Sequence, residues 1–114
     1  MAECLFCRIV AREIPGRIVY EDDRCLALED NNPQAPVHIL VIPKQHLDGL
    51  AQVTAADGEL MAHLLLIVNR MAKEKKIIDK GYRAVINTGP AGGQSVYHLH
   101  LHLLGGRPMR WPPG

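Results

Sequence analysis

Val96-Tyr97-His98-Leu99-His100-Leu101-His102-Leu103-Leu104 decides the fold, because imidazole and leucine alternate along it as they would on a strand with two unlike faces. Alternate residues of a strand point the same way and each advances about 3.3 Å, so His98, His100 and His102 share one face at steps of about 6.6 Å. Leu99, Leu101 and Leu103 then face a core on the other side. Histidine has no packing advantage in a strand, so three on one face point to chemistry.

Working outward, Gly89-Pro90-Ala91-Gly92-Gly93-Gln94-Ser95 reads as a flexible loop before that strand, and Tyr82 to Asn87 as the strand before the loop. Leu60, Leu64, Ile67, Val68 and Met71 recur at helical spacing and predict one long helix from Thr54 to about Lys76, opened by a short-armed capping box of Thr54 and Asp57. Met61 and Leu65 widen its apolar face beyond what one sheet covers, which suggests a subunit interface. Arg17–Glu21 and Cys25–Glu29 flank the polar turn Asp22-Asp23-Arg24 as a hairpin, His38–Ile42 is a further strand ended by Pro43, and a turn of structure is expected over His46–Leu50. Leu5, Phe6, Ile9 and Val10 predict a short N-terminal helix. Strands in hairpin order with one main helix give an α+β class, an antiparallel meander in a single domain over residues 1–114.

With 47% hydrophobic and 22% charged residues the chain has the composition of a globular protein, and a net charge of +1 offers no field for a nucleic-acid polymer. The apolar run Leu64–Val68 is far shorter than the roughly 20 residues a bilayer requires, so no membrane partner is expected. Met1-Ala2-Glu3-Cys4 has no basic region leading into an apolar one, and three cysteines without an export signal suit thiols or metal ligands; a cytoplasmic location is expected.

The glycine loop lets backbone N–H groups approach an anion, Ser95 adds a hydroxyl and Asn87 a further donor, all beside the histidines. An imidazole can attack phosphorus to form a phosphohistidine-type intermediate that water then cleaves. His100, the middle residue, suits that role, with His102 orienting it or giving a proton near the ordinary histidine pKa of about 6.5. Strand histidines two apart could instead chelate a catalytic metal. Cys4-Leu5-Phe6-Cys7 supplies two of the four ligands of a tetrahedral zinc, or else two packed thiols; no βαβ context supports a thioredoxin-like motif. Cys25 reads as a small buried hydrophobe and His63 as a packing or interface residue.

Tyr97 to Leu104 resembles the His-x-His-x-His-x-x pattern of the histidine-triad (HIT) superfamily. Ile14-Pro15, Asp30 with Pro33-Gln34-Ala35-Pro36, His38 to Pro43, Gly92 to Ser95 and the ending Trp111-Pro112-Pro113-Gly114 extend the likeness over nearly the whole chain and suit its HINT branch of nucleotide-binding phosphoramidases. The resemblance implies a homodimer of HIT fold that binds a purine nucleoside monophosphate or its phosphoramidates and hydrolyses phosphorus–nitrogen bonds without a catalytic cofactor. It makes His100 the nucleophile and His102 a phosphate ligand. Asn87, Gly93, Gln94 and Ser95 would lie around the phosphate, Asp30 would take the ribose hydroxyls with Asn31 beside it, and His38 would buttress the triad. It further implies a structural zinc on Cys4, Cys7, His46 and His98. Family members usually carry an aromatic two residues before the ribose aspartate and an apolar residue after it; Leu28 and Asn31 stand there, so the expected base pocket is less apolar. A dinucleoside-polyphosphate hydrolase of the same superfamily, or a nucleotide-binding interaction module, are the other readings.

Overall fold

Two unlike faces of one sheet organise the molecule, which is a computed structural model describing residues 4–114. Residues 1–3, on which the expected lack of an export signal partly rests, lie outside the described residues. Helix α1 (Leu5–Val10) is followed by β1 (Ile18–Glu21), β2 (Cys25–Glu29) and β3 (Val37–Pro43), then by α2 (Gly58–Glu74), β4 (Tyr82–Val85) and β5 (Leu101–Gly105). All pairings are antiparallel and the order is β1-β2-β3-β5-β4. The meander runs through β1, β2 and β3; β5 then inserts beside β3 and leaves β4 at the edge.

Alternation sorts the side chains. Cys25, Ala27, Ile39, Val41, Leu101 and Leu103 face α2 and join its Leu64, Ile67, Val68, Met71 and Ala72 in the main core. Leu26, Leu28, Leu40 and Ile42 face the other way, onto Phe6 and Ile9 of α1. Each fully buried aliphatic side chain contributes about 1.5–3 kcal/mol, so the larger α2 face dominates stability while the α1 face is thin. The face under α1 is the one the histidines share.

Helix α2 opens as the capping box requires, the Thr54 N–H donating to Asp57 Oδ2 at 2.9 Å, although its first turn, Ala55–Asp57, is 3₁₀. It ends with Lys76 at φ 62°, a left-handed position held by the Ile77 N–H on the Ala72 carbonyl, with buried Ile77 tucked beneath. Leu65 and Leu66 remain exposed on its outer side. The turn expected over His46–Leu50 forms further on, as a 3₁₀ turn at Leu50–Gln52. Among the described residues no helix is long and apolar enough to cross a membrane.

The expected strand from Val96 is also shorter: β5 begins at Leu101, so only His102 of the three histidines lies in the ladder. Beyond Leu101 the register would set Ile42 and Pro43 of β3 opposite His100 and Leu99, but Pro43 has no N–H to donate, and the ladder ends at Val41–Leu101. Leu99 is held instead by its N–H on the Leu47 carbonyl, at 2.7 Å.

Candidate functional site

Residue by residue, the register puts the histidines together. His38 on β3 lies opposite Leu104 and His102 opposite Leu40, so the two imidazoles are diagonal neighbours on the α1 face, with His38 Nε2 at 2.9 Å from His102 Nδ1. The backbone N–H of Gln34 donates to His38 Nδ1 at 3.0 Å. That bond places the His38 proton on Nε2, from which it is donated to His102 Nδ1, with the Asp30 carboxylate 3.4 Å away. His102 therefore carries its own proton on Nε2, a buried atom with no partner among the described residues.

His100 is turned the opposite way. Its Nδ1–H donates to the His98 carbonyl at 2.7 Å, which leaves Nε2 unprotonated. The His100 and His102 rings lie 5.0 Å apart between centroids. Burial lowers the pKa of His38, His100 and His102, the last to about 4, where His100 and His38 add to the effect. The expectation of a proton donor near the ordinary histidine value is corrected: desolvation keeps His102 neutral, so it acts as a hydrogen-bond donor rather than a ready acid.

This shift has a measurable consequence. The unfolded chain binds a proton at His102 below about pH 6.5, whereas the folded protein resists it until about pH 4. The stability this residue allows is complete above about 6.5, declines as pH falls, and levels off below about 4. Thermal melts of the protein and of His102→Asn should diverge over that window, the variant losing stability less steeply; parallel curves would contradict the assignment.

The cleft over these groups has a volume of about 230 Å³. Asp30, Asn31, Ser95, His100 and His102 line its polar side, and Leu5, Phe6, Ile9, Pro15, Leu28, Leu40 and Val96 its apolar side. A larger cleft at Lys76, Lys80 and Arg107 contains none of the histidines or cysteines. Asp30 Oδ1 accepts the Asn32 N–H at 2.8 Å, which fixes the carboxylate at the end of β2.

Asn87, Gly93 and Gln94 are not among the residues that line the cleft. The Gly93 and Gln94 N–H groups are engaged inside the loop, on the Pro90 and Gly89 carbonyls. The Gln94 amide accepts from the Gly89 N–H and donates to the carbonyls of Asp48 and Val96, so it is a brace for the loop. Gly92 is required here because a Cβ would lie 2.3 Å from the Thr88 carbonyl oxygen.

Cys4, Cys7, His46 and His98 converge beside the cleft, their ligand atoms all within 4.8 Å of one another. His98 Nε2–H donates to the Pro43 carbonyl at 2.8 Å and His46 Nε2–H to Asp48 Oδ1 at 2.7 Å. Both Nδ1 atoms are thereby unprotonated, yet they face each other at 3.1 Å. Two lone pairs so placed repel unless a cation lies between them, and tetrahedral zinc would set two nitrogens about 3.3 Å apart. The thiols stand close to the same nitrogens, Cys4 3.3 Å from His98 and Cys7 3.3 Å from His46. Donor set, tautomers and carboxylate support on His46 all fit zinc. Asp30, His38 and His102 also cluster, but there a proton already occupies the space between the nitrogens.

Cys25 is fully buried, and burial pushes its thiol up to about 12, as expected of an inert residue. His63 ties α2 to the β1–β2 turn through Asp22 at 2.6 Å. Three contributors escape sequence reading: Phe6, Asp48 and the Gln34 backbone. Only Asp48 left a signal, two residues beyond His46.

Comparison with known proteins gives a coherent result. The profile of the HIT domain matches residues 11–109. An uncharacterized HIT-like protein of Synechococcus elongatus is 60% identical over 112 residues, covering 98% of this chain and 97% of that one. A 14 kDa zinc-binding protein of Zea mays is 53% identical over 112 residues, covering 96% and 87%. The crystal structure of a HIT family hydrolase from Legionella pneumophila superposes with a TM-score of 0.97 at 49% identity, covering 98% of this chain and all of that one.

Proposed function

The chain belongs to the HIT domain family, and from that premise we propose that it is a nucleoside phosphoramidase of the HINT branch, hydrolysing the P–N bond of a purine nucleoside monophosphate joined to an amine or aminoacyl group. The observation that carries the reading is the opposed protonation of two adjacent imidazoles: His100 presents a lone pair on Nε2 and His102 a proton on Nε2. A phosphoryl group between them meets a nucleophile on one side and a hydrogen-bond donor on the other.

In the first step His100 Nε2 bonds to phosphorus as the P–N bond breaks; the electron pair of that bond stays on the amine nitrogen, which takes a proton from water, and the neutral amine departs. In the second, water attacks phosphorus and gives its proton to the hydroxide left by the first step, the P–Nε2 bond breaks with its electron pair returning to Nε2, and nucleoside monophosphate leaves with His100 restored. The His98 carbonyl accepts the Nδ1–H throughout and stabilises positive charge on the attacking ring. His102 Nε2–H donates to a phosphoryl oxygen whose charge grows in the transition state. Zinc, when held by Cys4, Cys7, His46 and His98, supplies a cross-link between α1 and the sheet; His100 and His102 are not among its ligands. The exposed Leu65 and Leu66 and the open edge of β4 support a homodimer.

Steady-state hydrolysis of amine-linked AMP and GMP, set against a diadenosine polyphosphate, tests this reading. Faster turnover of the phosphoramidates is expected. The reverse ranking would assign the chain to the polyphosphate hydrolases, and nucleotide binding without turnover of either would make it an interaction module.

Asp30 supports the ribose part of the same reading. Losing a charge-assisted hydrogen bond costs about 1.5–3 kcal/mol, so AMP should bind roughly 10- to 150-fold more weakly to Asp30→Ala. A 2′,3′-dideoxy nucleotide should lose little further affinity in that variant. Additive losses would argue against direct contact.

A further inference from the structure

Phe6 sits between the two cysteines in sequence and between the two sites in space. Its ring is edge-on to His98 at 5.9 Å and to His100 at 5.0 Å between centroids, and it is buried beneath α1. Leu5 and Ile9 of the same helix complete the apolar wall of the cleft together with Pro15 just beyond it. Yet α1 has only six residues, well below the length at which a helix is stable alone, and it buries only Phe6 and Ile9. What anchors it at its start is the cluster: Cys4, where the helix begins, and Cys7, one turn in, both stand against imidazoles of distant segments.

We propose that the Cys4–Cys7–His46–His98 centre is a clamp for nucleotide recognition: metal bound there holds α1 as the wall against which the base packs, so metal occupancy sets nucleotide affinity through Phe6. The proposal rests on the nucleotide-site reading above. Phe6 is here a positioning residue: it supplies no reacting atom, but packs edge-on against His100 and forms part of the cleft wall. The ribose and phosphate groups, Asp30, Ser95 and His102, are carried by β2, the glycine loop and β5, which are held by strand pairing and by hydrogen bonds within the loop, although β2 also packs on α1 through Leu26 and Leu28.

The two parts of the ligand should therefore respond differently to metal. Releasing α1 lowers the fraction of molecules with a formed wall, and apparent affinity falls in proportion to that fraction. Calorimetry at low temperature should show AMP binding about tenfold or more weaker after zinc is removed by chelation, while ribose 5-phosphate, which lacks the base, changes by less than about threefold. Hydrogen exchange should report the cause: the Arg8 and Ala11 amides, bonded to the Cys4 and Cys7 carbonyls, should lose protection while β3 and β5 keep theirs. A Cys4→Ser/Cys7→Ser protein should behave as the chelated one does. In zinc-loaded Phe6→Ala the base-dependent part of the affinity should already be gone, and chelation should remove nothing more. Phe6→Leu, which keeps an apolar wall, should restore part of it.

Equal AMP affinity with and without zinc would overturn the clamp and leave the nucleotide site standing. Parallel losses for AMP and ribose 5-phosphate, or protection lost throughout the sheet, would overturn it as well, because the metal would then support the whole fold rather than one wall. A zinc-loaded protein that binds no purine nucleoside monophosphate would overturn both readings.

Discussion

Replacing His100 by alanine should lower kcat on an AMP phosphoramidate by about 10⁴-fold or more, while AMP binds nearly as tightly as before. The asymmetry follows from what Nε2 does. In the proposed mechanism its lone pair gains a bond to phosphorus only as the reaction proceeds, so its loss falls on the transition state and little on the ground state. The polar groups of the cleft, Asp30, Ser95 and His102, remain in the variant. Truncating an imidazole that is 5% exposed leaves a space under Phe6, so a melting curve should accompany the kinetics. His100→Gln is the better-packed control: it preserves volume and a hydrogen-bonding group but has no ring nitrogen to attack. Both variants should be inactive, and His102→Ala should be less severely affected, because it removes one hydrogen bond to a phosphoryl oxygen rather than the nucleophile. Turnover near the unmodified rate in either His100 variant would remove covalent catalysis by this residue.

Removal of zinc should lower the melting temperature by about 10–20 °C, the effect of losing a ligand bound to the folded state alone at around a thousand times its dissociation constant in a domain of this size. The ligands come from α1, from the segment after β3 and from the segment before β5, so the centre joins three stretches that no single strand ladder connects. Without the ion, two unprotonated nitrogens face each other and the chain must separate them or take up a proton. At temperatures where the zinc-free protein stays folded, kcat at saturating substrate should persist, because His100 and His102 keep their backbone and His38 partners. KM is where the loss should appear, for the reason given for α1. Simultaneous disappearance of zinc and kcat in one titration would instead make the metal catalytic. Elemental analysis of protein purified without chelators, together with the reactivity of Cys4 and Cys7 toward a thiol reagent, checks occupancy directly: zinc-free protein with both thiols freely reactive would exclude the structural metal.

Much of the scaffold is legible in the chain itself. Leucine on every second position around the histidines, with apolar residues at helical spacing between Leu60 and Met71, specifies a sheet with one face for α2 and the other for chemistry, because side-chain period is a local property of backbone geometry. The C-x-x-C pair is legible for the same reason: two thiols one turn apart on a short helix are set by that turn alone. Asp30 at the end of a strand and the capping box at Thr54 are local too.

The departures all involve partners brought from elsewhere. Where β5 begins depends on its ladder with β3, which ends at Val41 because Pro43, more than fifty residues earlier, has no N–H to continue it. Gly93 and Gln94 look like free donors in a glycine loop until the turn closes on the Pro90 and Gly89 carbonyls and the Gln94 amide reaches Asp48. Phe6 reads as a core residue of a small helix; only packing brings it against two of the three histidines.

What the sequence by itself determined is therefore the set of candidate groups and the sheet face toward which they turn, since residue type and side-chain alternation are sufficient for both. Which nitrogen of each imidazole carries the proton was decided only by the tertiary structure. That choice follows the hydrogen bond at the other nitrogen: the Gln34 amide for His38 and through it His102, the His98 carbonyl for His100, Pro43 for His98 and Asp48 for His46. An imidazole is nucleophile, donor or metal ligand according to that partner, and most of these partners reach their places only when β3 and β5 come together in register.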